Sequence, residues 1–196
     1  VETRRKVMQR PAQEYKRILR VMTAHAIHYG DRGVSFVCKK GPNAVDVCTP
    51  RDSSTTNNIQ SLLGNRLARE ILEINTSKDL LIGTNETASI RISGRISNPN
   101  YSRKKSEFII FINHRLVDCR RIRRAVEATY AAYIPRKTYP FVYLSLELPP
   151  HMVDVNVHPT KSDVHFLNED AIVGMVEKCV QDKLEGTNSS RTFTSS

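Results

Sequence analysis

Five apolar residues in succession, Phe108 to Ile112, constrain the fold of this chain more than any other segment. So short a run with no polar residue is typical of a β-strand that is covered on both faces. From about Leu80 the chain reads as strand, strand, strand, helix, strand, strand, helix. This order predicts an α+β domain, a mixed sheet with helices on one face.

The residues before that domain indicate a smaller set of elements. Pro11 suits the first position of a helix that ends near Gly30, where glycine would serve as the C-terminal cap. Two alternating apolar segments around residues 34–38 and 44–48 predict a β-hairpin. Thr55 or Thr56 is predicted to cap a short helix that ends at Gly64, and the last ten residues are predicted to be disordered.

Length and composition exclude several classes of protein. The chain has 196 residues, enough for one large or two small domains. No apolar run approaches the roughly 20 residues of a transmembrane helix. The N-terminus has neither an initiator Met nor a signal segment, which indicates a piece of a longer protein. The four cysteines form no C-x-x-C pair, so we expect no metal site and a reducing, intracellular compartment.

Positive charge is concentrated in two windows. The net charge is +10, and residues 103–124 hold eight basic and two acidic residues, with a second excess in residues 1–20. Such concentrations favour an anionic partner. A solvated face remains the alternative for either window.

The second window includes a helix that would begin at Asp118 or Cys119. At 100° per residue, Ile122, Val126 and Tyr130 form an apolar stripe, with Arg120 and Arg124 opposite. Four arginines in the first turn and a half are unfavourable beside the positive end of the helix dipole unless an anion neutralises them. We therefore expect contact with the phosphate backbone of DNA, without base stacking.

Nothing in the sequence assembles a complete catalytic constellation. The phosphate-binding loop, the dinucleotide-binding turn, the nucleophile elbow and the metalloprotease helix are all missing from the sequence. His25 and His28 lie on the first helix without a third ligand and are interpreted as structural. Lys161 projects from a proline-containing turn, where an exposed lysine is by itself unremarkable.

Three segments match the motifs of one known family. Asp154 to Phe166 matches a D-V-N-V-H-P-x-K-x-[DE]-V-x-F signature, Phe111 to Leu116 an F-[IV]-N-x-R segment, and Thr3 to Lys6 the end of an N-x-x-[AT]-R-R-K-F motif. In these three segments the chain resembles the MutL family of DNA mismatch repair proteins. The order and spacing match from about residue 3 to residue 185. The segment 130–148 is most similar to the eukaryotic homologue-one branch of the family.

The resemblance implies a domain organisation. Residues 1–56 would be the C-terminal part of a truncated ATP-binding domain of the gyrase, Hsp90, histidine kinase and MutL (GHKL) type. Residues 57–185 would form a transducer domain with the fold of ribosomal protein S5, and residues 186–196 a disordered tail. The full-length protein would be an ATPase that uses ATP and Mg²⁺. This part alone is expected to bind neither and to be inactive.

The resemblance also implies roles for residues. Lys161 would contact the γ-phosphate of ATP in the full-length protein, and Arg115 would lie in a groove that contacts DNA. The other candidates are added on charge alone. The predicted DNA-contacting residues are Arg115, Arg120, Arg121, Arg123, Arg124, Lys104 and Lys105. No metal-binding residue is predicted in this chain.

Implied partners are duplex DNA, a second MutL-family subunit and MutS-type mismatch-recognition proteins, in the nucleus and away from membranes. Two other functions remain open. The chain could be a protein-interaction module whose positive charge only keeps it soluble. It could also bind RNA, by analogy with the ribosomal fold alone.

Overall fold

A computed structural model describes residues 11–42, 44–82, 86–154 and 165–189. The chain forms two compact units that divide between Ala68 and Arg69. The sequence places a boundary earlier, between residues 56 and 57. The two positions differ because the helix that begins at Thr55 is bonded to the first helix, where Asn58 Nδ2 donates to the carbonyl of Ala26 at 2.8 Å.

The described part of the first unit combines helices with one β-hairpin. Its elements are α1 (Pro11–His28), β1 (Phe36–Gly41), β2 (Ala44–Thr49), α2 (Thr55–Leu63) and α3 (Asn65–Ala68), with a 3-10 turn at Gly30–Arg32. β1 and β2 pair antiparallel, which confirms the predicted hairpin. The prediction of the α2 cap is wrong by one residue. Ser54 Oγ accepts a hydrogen bond from the Asn57 amide at 3.1 Å, while Thr55 Oγ1 lies 2.7 Å from Asp31 Oδ2.

Gly30 is required for a reason other than the predicted helix cap. A Cβ atom at this position would lie 2.7 Å from the backbone nitrogen of Thr55. Two backbone segments therefore approach too closely there for any side chain. The positive φ angles that favour glycine occur instead at Gly33 (67°) and Gly64 (99°). Gly64 follows α2 as predicted.

The second unit is built on a five-stranded sheet. Its elements are β3 (Ile71–Ile82), β4 (Glu86–Ser97), β5 (Glu107–Ile112), β6 (Arg115–Val117), α4 (Arg120–Tyr130), β7 (Phe141–Glu147), β8 (Val153–Asp154), β9 (His165–Phe166) and α5 (Glu169–Ser189), with a 3-10 turn at Pro150–Met152. The strand order is β3-β4-β7-β5-β6, with β8 and β9 as a separate pair. β5 and β7 are parallel, whereas the other neighbours are antiparallel. The mixed sheet confirms the predicted α+β class.

The hydrophobic core lies between this sheet and the two helices α4 and α5. Strands β4, β5 and β7 contribute alternate residues, and α5 contributes residues at helical spacing. The core includes Ile92, Ile110, Leu144, Ile122, Val126, Tyr130, Ile172, Val176 and Val180. The residues that alternate with these core residues in β5 and β7, which are Ile109, Phe111, Tyr143 and Ser145, are buried as well. Phe111 and Tyr143 meet edge to face at 6.5 Å on the second face of the sheet, so the prediction that β5 is covered on both faces is confirmed.

Two boundaries in the second unit differ from the predicted ones. β3 begins at Ile71, before the predicted start of strand structure near Leu80. Helix α5 continues to Ser189 and so includes the first residues of the predicted 186–196 tail. Across the described ranges, no helix is long and apolar enough to cross a membrane.

Candidate nucleic-acid interface

A tight hairpin turn presents Arg115. Asn113 and His114 form the loop between β5 and β6, with φ angles of 46° and 63°. Positive φ at both central residues is typical of the tightest turns between antiparallel strands. Arg115 comes next, pairs with Ile112 across the hairpin and exposes its side chain.

The side chain of Asn113 holds this turn against the end of β7. Its Nδ2 donates to the carbonyl of Leu148 at 2.9 Å, and its Oδ1 accepts from the Leu148 amide at 2.8 Å. The Asn113 amide also donates to the carbonyl of Leu146 at 2.9 Å. Asn113 is thus a positioning residue for Arg115 that the sequence analysis did not identify. An asparagine is among the few residues that readily adopt positive φ, and this was the available signal.

Helix α4 exposes three of its arginines, Arg120, Arg121 and Arg124. The helix buries Ile122, Val126 and Tyr130, as the spacing predicts. Arg120 and Arg124 lie on the opposite, exposed side. No carboxylate within the described part of the chain forms an ion pair with either guanidinium.

Arg121 is neutralised within the protein. Its Nη1 lies 2.9 Å from Glu169 Oε2, and its Nη2 contacts Asp170. The hydrogen bond to Asp170, which has the larger effect, and the hydrogen bond to Glu169 raise the pKa of Arg121 above its ordinary value. The two carboxylates begin α5, where negative charge is favoured by the helix dipole. Arg121 therefore joins the first turns of α4 and α5.

Arg123 is also engaged inside the unit. Its Nη2 lies 2.6 Å from Asp118 Oδ1. Its guanidinium stacks over the Phe108 ring, 5.2 Å from the ring centre. Of the four arginines at the start of α4, two are therefore compensated by neighbouring groups and two are available to a partner.

The two lysines lie at the other end of the sheet. Lys104 and Lys105 precede β5, whereas Arg115 follows it, so the whole strand separates them. Six residues at about 3.3 Å each place the two groups about 20 Å apart. The structure therefore divides the predicted DNA-contacting residues between two places.

Lys161 and most of the signature segment lie outside the described residues. The chain is described on either side of this segment, where Val153 pairs with Phe166 and Asp154 with His165, immediately before α5. The ranges that the structure describes contain no group of three or more His, Cys, Asp or Glu that could hold a metal ion.

Comparison with known proteins shows which protein family this chain is similar to. The family model described as "DNA mismatch repair protein, C-terminal domain" matches residues 59–185. The chain is 34% identical to "Putative MutL protein homolog 1" of Schizosaccharomyces pombe, over 98% of this chain and 28% of that protein. It is also 34% identical to "DNA mismatch repair protein MLH1" of Saccharomyces cerevisiae, over 100% of this chain and 25% of that protein. The chain thus spans about a quarter of the length of these relatives.

A solved structure supports the same relationship. The "Crystal Structure of N terminal domain of a DNA repair protein" superimposes with a TM-score of 0.80 at 25% identity. The match covers 96% of this chain and 59% of that one.

Proposed function

This chain belongs to the MutL family of DNA mismatch repair proteins, and on that premise we propose that it acts in mismatch repair as the DNA-contacting transducer part of a MutL-type ATPase. The proposal rests above all on one observation. Arg120 and Arg124 project, without an ion-pair partner within the described residues, from the beginning of a helix whose first turn contains no acidic residue.

The electrostatics of that helix end favour an anion. The free backbone N–H groups at a helix N-terminus carry partial positive charge, and exposed arginines there repel it. A phosphate beside Arg120 and Arg124 would interact favourably with both the guanidinium groups and the positive end of the helix. Because the contacts would be made to phosphates, binding would be independent of base sequence.

Arg115 extends the same surface. β6 leads into α4 through two residues, so Arg115 and Arg120 lie on consecutive elements. The Asn113 hydrogen bonds hold the turn that precedes Arg115. A charge held in place loses less conformational entropy when it binds a phosphate than one on a mobile loop.

The ATP-dependent step is assigned to Lys161. We propose that Lys161 places its ammonium group against the γ-phosphate of ATP in the full-length protein. ATP with Mg²⁺ would supply that triphosphate anion, and residues 1–56 would belong to the GHKL-type domain that binds it. The lysine contact would exist only with the triphosphate, so it would favour one arrangement of the two domains. We further propose that the full-length protein pairs with a second MutL-family subunit, acts together with MutS-type proteins and is located in the nucleus.

Salt-dependent DNA binding tests the proposed interface. The experiment measures the affinity of the chain for a 20-base-pair duplex between 50 and 200 mM salt. The test variant is Arg120→Glu with Arg124→Glu. The control is Lys178→Glu with Lys183→Glu, which changes the charge equally on exposed positions of α5.

The expected result follows from counterion release. Each phosphate contact contributes about 0.9 to the slope of log affinity against log salt, so the test variant should lose about 2 from that slope. The control should keep the wild-type slope. Equal slopes for the wild type and the test variant would contradict the interface. Equal competition by duplex RNA would point to the RNA-binding alternative, and no salt-dependent binding at all would favour the protein-interaction alternative.

A further inference from the structure

A second positively charged surface lies beyond the C-terminal end of α4. A cleft of about 260 Å³ opens there between the helix end and the following turn. Ala131, Ile134, Pro135 and the ring of Tyr139 give it apolar walls, and Arg136 and Lys137 lie at its rim. Both basic side chains are exposed.

The turn at the rim holds a lysine in an unusual conformation. The Thr138 amide donates to the carbonyl of Pro135 at 3.2 Å, which closes a turn with Arg136 and Lys137 at its centre. Lys137 has a φ of 63°, in the left-handed region that glycine and asparagine adopt with least strain. A charged side chain therefore occupies a position where a glycine would relieve strain. Such strained positions are concentrated at functional sites.

Lys104 and Lys105 join this surface from the other side. Arg103 and Tyr139 exchange two backbone hydrogen bonds of 2.8 and 2.7 Å in an antiparallel bridge. Lys104 and Lys105 directly follow Arg103 in sequence, and Arg136 to Thr138 directly precede Tyr139, so the bridge brings together the segments that carry the two pairs of basic residues. All four basic side chains are exposed.

The four cations are not compensated within the described ranges. No ion pair connects any of the four to a carboxylate there. The one carboxylate that lines the cleft, that of Glu127, accepts a hydrogen bond from Ser106 Oγ at 3.1 Å. The surface therefore combines an apolar cavity with a rim of net positive charge.

We propose that this cleft binds an acidic peptide segment of a protein partner, with one or two apolar side chains of the peptide in the cavity and its carboxylates against Arg136, Lys137, Lys104 and Lys105. The charge of the rim requires an anionic partner. The concave apolar walls favour a protruding side chain, because a DNA duplex presents its phosphates outward and keeps its apolar groups inside the grooves.

This surface is distinct from the proposed DNA interface. The two are separated by helix α4, whose 11 residues extend about 16 Å. The two proposals can therefore fail independently, and variants at one surface serve as controls for the other.

The experiment measures the anisotropy of a fluorescein-labelled probe peptide with the sequence Glu-Asp-Glu-Leu-Phe-Asp-Glu-Glu. A second probe replaces its Leu-Phe pair with Ser-Ser. The protein variants are Arg136→Glu with Lys137→Glu, Lys137→Gly alone, and the DNA-interface variant Arg120→Glu with Arg124→Glu. Thermal melts of each variant establish that the chain is folded.

We expect saturable binding of the first probe and at least about tenfold weaker binding of the Ser-Ser probe. The charge reversal at 136 and 137 should weaken binding of the first probe about tenfold or more, whereas the DNA-interface variant should bind it within about twofold of the wild type. Lys137→Gly should weaken binding while its melting temperature stays equal to or above that of the wild type. Equal binding of the two probes, or equal loss with both charge reversals, would overturn the proposal. So would failure of the first probe to bind the folded wild type.

Discussion

Asn113 and Leu148 exchange two hydrogen bonds, so the side-chain carboxamide of Asn113 pairs with the Leu148 backbone in the way that a neighbouring strand would. The carboxamide donates to the Leu148 carbonyl at 2.9 Å and accepts from the Leu148 amide at 2.8 Å. A backbone pair of this kind ordinarily requires another strand. Here one side chain satisfies both groups and holds the turn that carries Arg115.

Replacing Asn113 should destabilise the fold and weaken DNA binding together. Asn113→Gly keeps the positive φ but removes both hydrogen bonds, and should cost about 1–2 kcal/mol of unfolding free energy. Asn113→Ala should cost about 1 kcal/mol more because alanine is strained at positive φ. Urea denaturation measures the cost, and the duplex titration measures the effect on Arg115. If Asn113→Ala were no less stable than Asn113→Gly, the assigned role of positive φ would be wrong.

The buried hydroxyl of Tyr130 gives the chain a pH dependence at alkaline pH. This hydroxyl donates to the carbonyl of Ser97, and burial raises the pKa of Tyr130 well above its ordinary value of 10.0. As the pH rises, the Tyr130 hydroxyl therefore ionises in the unfolded state before it ionises in the folded state. The stabilisation is fully present below about pH 10 and is lost as the pH rises from there towards the folded-state pKa, by about 1.4 kcal/mol per pH unit.

Tyr130→Phe removes that dependence. The variant should be about 1 kcal/mol less stable at pH 7, because a buried hydrogen bond is lost. Its stability should then fall less steeply than that of the wild type above pH 10. Tyr133→Phe, at a half-buried position outside α4, serves as the control. Denaturant midpoints measured from pH 7 to pH 11 would contradict the prediction if the wild-type and Tyr130→Phe curves stayed parallel.

At Gly94, strands β4 and β7 approach each other too closely for a side chain. A Cβ atom on it would lie 2.2 Å from the carbonyl oxygen of Tyr143. Neither strand can move easily, because both belong to the middle of the sheet. Gly94→Ala should therefore cost about 3 kcal/mol or more.

Gly174 provides the matched control for that substitution. It lies inside α5 and has nothing within 4 Å of its would-be Cβ atom. Gly174→Ala should stabilise the chain by about 0.5–1 kcal/mol, because alanine is the better helix former. Urea midpoints compare the two. Similar midpoints for both variants would mean that the sheet tolerates a side chain at position 94.

The features that the sequence predicted well are those with a local signal. The apolar run of β5 and the stripe of α4 are encoded by side chains a few residues apart, and both were confirmed. The start of β3 was missed because its middle, Asn75 to Asp79, is polar. The strand lies at the edge of the sheet, so its polar residues need no cover.

The residues of the candidate site also divide into those predicted from a local pattern and those that were not predicted. The exposure of Arg120 and Arg124 follows from helical periodicity and was predicted. The neutralisation of Arg121 was not predicted, because Glu169 and Asp170 are 48 and 49 residues away in sequence. The separation of Lys104 and Lys105 from Arg115 follows from the length of β5, which lies between them in sequence. Grouping all basic residues of the 103–124 window by charge alone did not take this length into account.

Lys161 is the residue on which the proposed ATP dependence rests, and it can be tested in the full-length protein. Lys161→Ala should reduce the ATPase turnover by about tenfold to a hundredfold, because a charge that acts on the transferred phosphate is removed. Lys161→Arg should restore part of the rate, since it returns the charge with a different geometry. Lys178→Ala, on the exposed side of α5, is the control. Turnover and ATP affinity are measured separately, and DNA affinity without nucleotide should be unchanged in all three variants. A wild-type turnover in Lys161→Ala would show that the γ-phosphate contact is made by another group.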